Sequence, residues 1–133
     1  MLQLSLMNVV AAVIERDGRV LICQRKGGRH ALKWEFPGGK VERGEEARDA
    51  LVRELREELA IEARAGEELH RSEVRYGNGP LIRLTFFHVT DFSGEPVNLQ
   101  FERIEWAERT KLAGYDFLEG DVEFVKRLGE TAG

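Results

Sequence analysis

Hydrophobic positions in this chain fall into two kinds of pattern, and the change between them marks its organisation. Asn8 to Glu15 and Val20 to Arg25 are dense β-rich runs separated by Arg16-Asp17-Gly18-Arg19. An Asp-Gly pair between two such runs predicts a hairpin. Lys26 to Lys33 is polar and glycine-containing and reads as a surface loop. Trp34-Glu35-Phe36 then predicts a short strand, stopped by Pro37-Gly38-Gly39. Between 45 and 59 the period becomes helical: Leu51, Leu55 and Leu59 recur at i+4 with Val52 beside them, and neither Gly nor Pro interrupts. Strand-like runs return at Glu73 to Tyr76 and Leu81 to Thr90, around the turn Gly77-Asn78-Gly79-Pro80, and again at Phe101 to Trp106. Glu119 to Leu128 closes the pattern as an amphipathic helix with Val122, Val125 and Leu128 on one side. Strands on both sides of a long helix, with a helix at the end, predict an α/β sandwich around a mixed sheet.

Composition narrows the class. The 133 residues fit one domain, 1–133. With 42% hydrophobic and 33% charged residues, the chain has enough apolar material for a core, which argues against disorder. Cys23 is the only cysteine, so no internal disulfide or cysteine zinc site is available, and a reducing, cytoplasmic setting is expected. The net charge of −4 disfavours a general binder of nucleic-acid polymers, which needs a basic face. Residues 1–14 are apolar but lack a basic start and run straight into Glu15-Arg16-Asp17-Gly18. They read as a strand rather than a secretory leader, and no stretch approaches the roughly 20 apolar residues that span a bilayer. Neither a membrane nor a nucleic-acid polymer is therefore expected as partner.

The distinctive chemistry lies on the central helix. At about 100° per residue, Glu54, Glu57 and Glu58 crowd within about 100° of arc, beside the leucine stripe. Two like charges 4 Å apart repel by about 4 kcal/mol at an effective dielectric near 20. A divalent cation relieves that repulsion, and Mg²⁺ commonly bridges one or two carboxylates to substrate phosphates. Glu- and Arg-rich helices are more often solvated faces laced by i,i+4 pairs. Here Gly38-Gly39 precedes the acids at a fixed spacing, and glycines allow close approach of backbone to ligand.

Gly38-Gly39-Lys40-Val41-Glu42-Arg43-Gly44-Glu45, followed after seven residues by Arg53-Glu54-Leu55-Arg56-Glu57-Glu58-Leu59-Ala60-Ile61, closely resembles the signature of the Nudix hydrolases. Trp34 to Glu42 resembles the MutT-like triphosphate pyrophosphohydrolase branch of that family. The resemblance implies an α/β/α sandwich and Mg²⁺- or Mn²⁺-dependent hydrolysis of a nucleoside diphosphate linked to another group. Position by position, it implies metal ligation by Glu54, Glu57 and Glu58 with the Gly39 backbone. Catalytic roles fall to Glu54, Glu57 and Arg53, and Glu45 braces the helix and loop. The Gly38 backbone would meet substrate. A further ligand or general base is expected at Glu102, with Gln100 and Glu105 as neighbouring alternatives. Ala60 stands where the family usually has the glycine that ends the helix, so the cap geometry is the point to check.

For the base, Asp121 occupies the position that resembles the base-reading residue of the MutT-like branch; it is equally a natural N-cap for the last helix. Phe36 is a candidate stacking platform or a core aromatic, and Arg25 a phosphate contact or surface charge. His30 lies in a loop that can border the site, while His70 and His88 show no metal-ligand spacing. The expected substrate is a small nucleotide, first an oxidised purine triphosphate of the 8-oxo-dGTP type, then CTP, dCTP or 5-methyl-dCTP. The expected products are a nucleoside monophosphate and pyrophosphate, which would make the enzyme a cleaner of the nucleotide pool. A non-catalytic nucleotide-binding sensor is the alternative from another class. A monomer or a homodimer fits a chain of this length.

Overall fold

The structure, a computed structural model, describes residues 5–131. The ends of the expected 1–133 domain lie outside the described residues. In chain order it contains β1 (Leu6–Arg16), β2 (Arg19–Gln24), β3 (Trp34–Glu35), β4 (Gly38–Lys40), α1 (Ala47–Leu59), β5 (Glu62–Arg64), β6 (Glu68–Val74), β7 (Leu81–Val89), β8 (Asp91–Ser93), β9 (Arg103–Glu108) and α2 (Val122–Glu130). Two 3₁₀ turns, Arg109–Gly114 and Glu119–Asp121, lead into α2.

The predicted first hairpin forms. Asp17 and Gly18 both take positive φ, 53° and 75°, the geometry of a two-residue turn whose twist matches its strands. Pairing of β1 with β2 is seen at Glu15↔Val20 and Arg16↔Arg19. Further along, β1 instead pairs antiparallel with β4, Ala11 opposite Gly38 and Val9 opposite Lys40. On its other edge β1 runs parallel to β7 from Leu6 to Ile14. β2 meanwhile pairs with β9 and β3. The mixed seven-stranded sheet thus splits between β1 and β2.

β1 is buried on both faces, which explains its unbroken apolar run. Val10, Ala12 and Ile14 pack with Leu51, Leu55 and Leu59 of α1; Ala11 and Val13 pack with Phe124, Val125 and Leu128 of α2. Helices on both faces of a mixed sheet make an α/β/α sandwich, as expected. The three helix leucines are fully buried, each worth about 1.5–3 kcal/mol relative to an exposed position.

Several boundaries differ from the sequence pattern for physical reasons. Gly38–Lys40, read as the end of a strand, is itself a strand, because β1 offers it an open edge. β5 and β8 are three-residue strands that pair only with each other, too short and too polar to leave a period-2 signal. β6 begins at Glu68 rather than Glu73, and β9 is displaced to Arg103–Glu108. Helix α1 starts at Ala47 rather than residue 45, and the start expected for the last helix is the 3₁₀ turn Glu119–Asp121.

Ala60 ends α1 in the left-handed conformation, φ 57° and ψ 33°, its N–H bonded to Arg56 O. The usual cap geometry is therefore retained with alanine, at a cost of about 1 kcal/mol relative to glycine. Ala60→Gly is expected to raise the melting temperature by about 3 °C, read by calorimetry. An unchanged or lower value would show that Ala60 is not strained. No helix among the described residues is long and apolar enough to cross a membrane.

Candidate functional site

A cleft of about 360 Å³ lies along the split in the sheet. Its acidic end is built by α1 and β4. Because the leucine stripe fixes the rotation of α1, Glu58 is carried under β4 and is only 2% exposed. Gly38 N–H donates to Glu58 Oε1 at 3.2 Å, and Gln100 Nε2 donates to Glu58 Oε2 at 3.3 Å. Glu54 stands beside Glu58. Burial first, and the neighbouring Glu54 carboxylate second, push Glu58 up to about 9. Two carboxylates this close share a proton or a cation.

Gly39 completes the cradle. A Cβ there would lie 2.5 Å from Glu54 Cδ, so only glycine lets the strand approach the carboxylate. Glu57 is the outlier of the three acids, with a side chain 57% exposed that leans toward Arg53 at 3.4 Å. Among the described residues, no three acidic, His or Cys side chains converge into a ready-made cage. Glu54 and Glu58 with the β4 backbone are the part that could hold a cation as placed.

Arg53 organises the surroundings. Its Nε donates to Glu45 Oε2 at 2.9 Å and its Nη2 to Glu45 Oε1 and to Lys40 O, both at 3.0 Å. Nη1 reaches Glu54 Oε1 at 3.0 Å. Glu45 in turn accepts the N–H of Glu42 at 3.0 Å, and the guanidinium holds its carboxyl below the ordinary range. Arg53 and Glu45 thereby tie β4 and the following loop to the helix.

The other end of the cleft is apolar with a few buried charges. Asp121 is 5% exposed. It occupies the N-cap position of α2, as expected, but its side chain makes no cap hydrogen bond and lines the cleft instead. Burial, and then the charge of Glu35, push its carboxyl up to about 8 against the pull of Arg25. Arg25 Nη1 pairs with Glu35 Oε1 at 3.1 Å; burial raises Glu35 in spite of it. Phe36 lines the cleft but is 4% exposed and packs against Phe86, Phe117 and Phe124, which places it in the core as well. His30 borders the cleft, as its loop position predicted.

Glu102 does not join the site. It is exposed at the foot of β9, and its backbone N–H donates to Gln24 O at 2.9 Å. Glu105 bonds Tyr115 and Arg103 instead. Of the three neighbours considered, Gln100 is the one in contact with Glu58, because Leu99 N–H bonds Glu58 O and anchors its segment there. Glu35 and Tyr76 line the cleft without having been singled out in the sequence. For Glu35 a signal existed: it is an acid between two large apolar residues, Trp34 and Phe36, just before the glycine pair. Tyr76 left none.

Comparison with known proteins agrees with this geometry. A NUDIX domain model matches residues 5–128. The CTP pyrophosphohydrolase of Escherichia coli (strain K12) is 41% identical over 126 residues, covering 92% of this chain and 91% of that protein. The 8-oxo-dGTP diphosphatase of Haemophilus influenzae is 33% identical, covering 93% and 92%. The solution structure of the E. coli ORF135 protein superposes with a TM-score of 0.84 at 40% identity, covering 92% of this chain and 88% of that one. The glycine strand, the acidic helix and these relatives lead to one conclusion: the chain belongs to the Nudix family and is a MutT-like nucleotide pyrophosphohydrolase.

Proposed function

We propose that the enzyme hydrolyses a nucleoside triphosphate to the monophosphate and pyrophosphate with Mg²⁺ or Mn²⁺, and that a cytosine nucleotide is its preferred substrate. The observation that carries this reading is one cleft with paired carboxylates at one end and a buried carboxyl in an apolar pocket at the other. The donor set fits a hard divalent cation: Glu54 and Glu58, side by side under the Gly39 backbone, with Glu57 in reach. When bound there, the ion supplies polarisation of a phosphoryl oxygen and a lowered pKa for water.

The protein's own groups do the remaining work. Arg53 keeps Glu54 and Glu45 in place. Gln100 is an amide and cannot accept a proton, so that task falls to the helix glutamates Glu54 and Glu57. Water attacks a phosphorus of the triphosphate chain, a P–O bond to pyrophosphate breaks, and the water proton passes to carboxylate. The Gly38 backbone and Arg25 border the path that the phosphates and sugar would take.

At the base end, a largely neutral Asp121 carboxyl offers one donor beside one acceptor. That pair complements the ring nitrogen and amino group of cytosine, and the E. coli relative named for CTP is the more similar of the two curated relatives. The 8-oxo-dGTP reading stands second, supported by the Haemophilus relative. Pyrophosphate release with Mg²⁺ over CTP, dCTP, 5-methyl-dCTP, dGTP and 8-oxo-dGTP tests the order. A kcat/KM highest for a cytosine nucleotide is expected; a maximum at 8-oxo-dGTP would reverse the preference, and silence on every triphosphate would sink the reading.

A further inference from the structure

Asp121 sits in a turn that another cleft residue grips. Tyr76, the last residue before the turn of 77–80, places its hydroxyl 2.9 Å from the backbone N of Gly120, and the N–H donates to it. Gly120 leaves no room for anything else. A Cβ there would lie 2.9 Å from the Tyr76 hydroxyl and 3.0 Å from Val74 Cγ1. The turn itself is closed by Asp121 N–H on Leu118 O at 2.9 Å. On its other side the Tyr76 ring meets His30, centroids 4.9 Å apart. Three segments distant in sequence, at His30, Tyr76 and Gly120-Asp121, therefore meet around one phenol at the apolar end of the cleft.

The turn that carries Asp121 has one further anchor, Leu118 N–H on Trp34 O at 3.0 Å. The Asp121 side chain makes no cap hydrogen bond to α2, so the backbone of the turn sets the position of its carboxyl. On the Tyr76 side the turn is tied by the bond from Gly120 N–H to the Tyr76 hydroxyl. That bond lies at the apolar end of the cleft, away from Glu54 and Glu58.

We infer that Tyr76 is a positioning residue for base recognition: its hydroxyl, by holding Gly120, sets where Asp121 meets the base. This rests on the reading of Asp121 as the base-facing group. The inference separates Tyr76 from a mere wall of the cleft, because Phe would serve equally well as a wall.

The test uses the full chain as wild type, Tyr76→Phe, Asp121→Ala and the double variant. Steady-state kinetics are measured with Mg²⁺ on the best triphosphate of the panel. Tyr76→Phe is expected to raise KM about fivefold to tenfold, the span of one hydrogen bond, with kcat within about twofold. In the Asp121→Ala background the same change should alter KM by less than about twofold, since contacting residues that act as one unit are not additive. Gly120→Ala, whose Cβ would push the hydroxyl away, should reproduce the KM effect and guards against misfolding of either single variant. Wild-type kinetics in Tyr76→Phe, a loss confined to kcat, or full multiplication with Asp121→Ala would each overturn the inference. Calorimetric binding of CMP without metal keeps this separate from the hydrolytic reading. If the wild type turns over no triphosphate, the same pattern in CMP affinity still supports Tyr76, and no CMP binding by the wild type overturns it.

Discussion

Glu58→Gln is expected to lower kcat/KM by about a thousandfold while leaving the metal-free protein as stable as wild type or more so. The two halves of this result have one cause. Glu58 is buried and stands against Glu54, which together lift its carboxyl to about 9 although the Gly38 N–H donates to it. Such a group costs stability as an anion. Gln keeps the length and still accepts from the Gly38 N–H, so the fold loses little. What it cannot do is bind a hard cation as a carboxylate does, and several kcal/mol of transition-state stabilisation correspond to about three orders of magnitude in rate. Pyrophosphate release and a melting curve in chelator are the two readings. A rate within tenfold of wild type would remove Glu58 from the proposed cation site. Glu57→Gln is the useful comparator, because its exposed side chain has no fold to disturb. The same assay addresses the sensor alternative, since a non-catalytic binder would show no wild-type rate to lose.

The second large effect separates two adjacent glycines. At Gly38 a Cβ would meet Val10 O at 2.0 Å and Ala11 Cα at 2.8 Å, both backbone atoms of the central strand. Backbone in a paired strand cannot yield as a side chain does. Gly38→Ala should therefore break the β4–β1 pairing and cost roughly 3–5 kcal/mol, a fall in melting temperature of about 10–20 °C. At Gly39 the obstructing atoms are the Glu54 carboxylate, which can swing aside. Gly39→Ala should stay within a few degrees of wild type and lose at least about a hundredfold in kcat/KM, because Glu54 leaves its place. Equal melting points for the two variants would refute the distinction.

Much of this was legible along the chain. The leucine spacing of α1 placed its acids at the edge of the core, and the Asp-Gly hairpin of β1 and β2 followed from local propensity. The signature from Gly38 to Ile61 named the family because a helix turns spacing into geometry, so Glu54 and Glu58 are neighbours wherever that helix packs. The Arg53–Glu45 pair was named by the resemblance rather than by helix spacing, since Glu45 lies before α1.

Other features were settled only when distant segments met. Gly38–Lys40 is a strand because β1 has an edge to offer, not because glycines favour one. Gln100 rather than Glu102 touches Glu58 because backbone bonds from Val97 and Leu99 to the end of α1 set the register of an irregular loop. Asp121 faces the cleft and Tyr76 grips its turn because a 3₁₀ segment and a strand end, 44 residues apart, converge. The sequence by itself determined the helix, its acid triplet, the family and the class of chemistry, for these depend on residues close enough along the chain that backbone geometry alone relates them. Which groups meet at the apolar end of the cleft was decided by tertiary structure, since they are related only by how the sheet splits and the loops close over it.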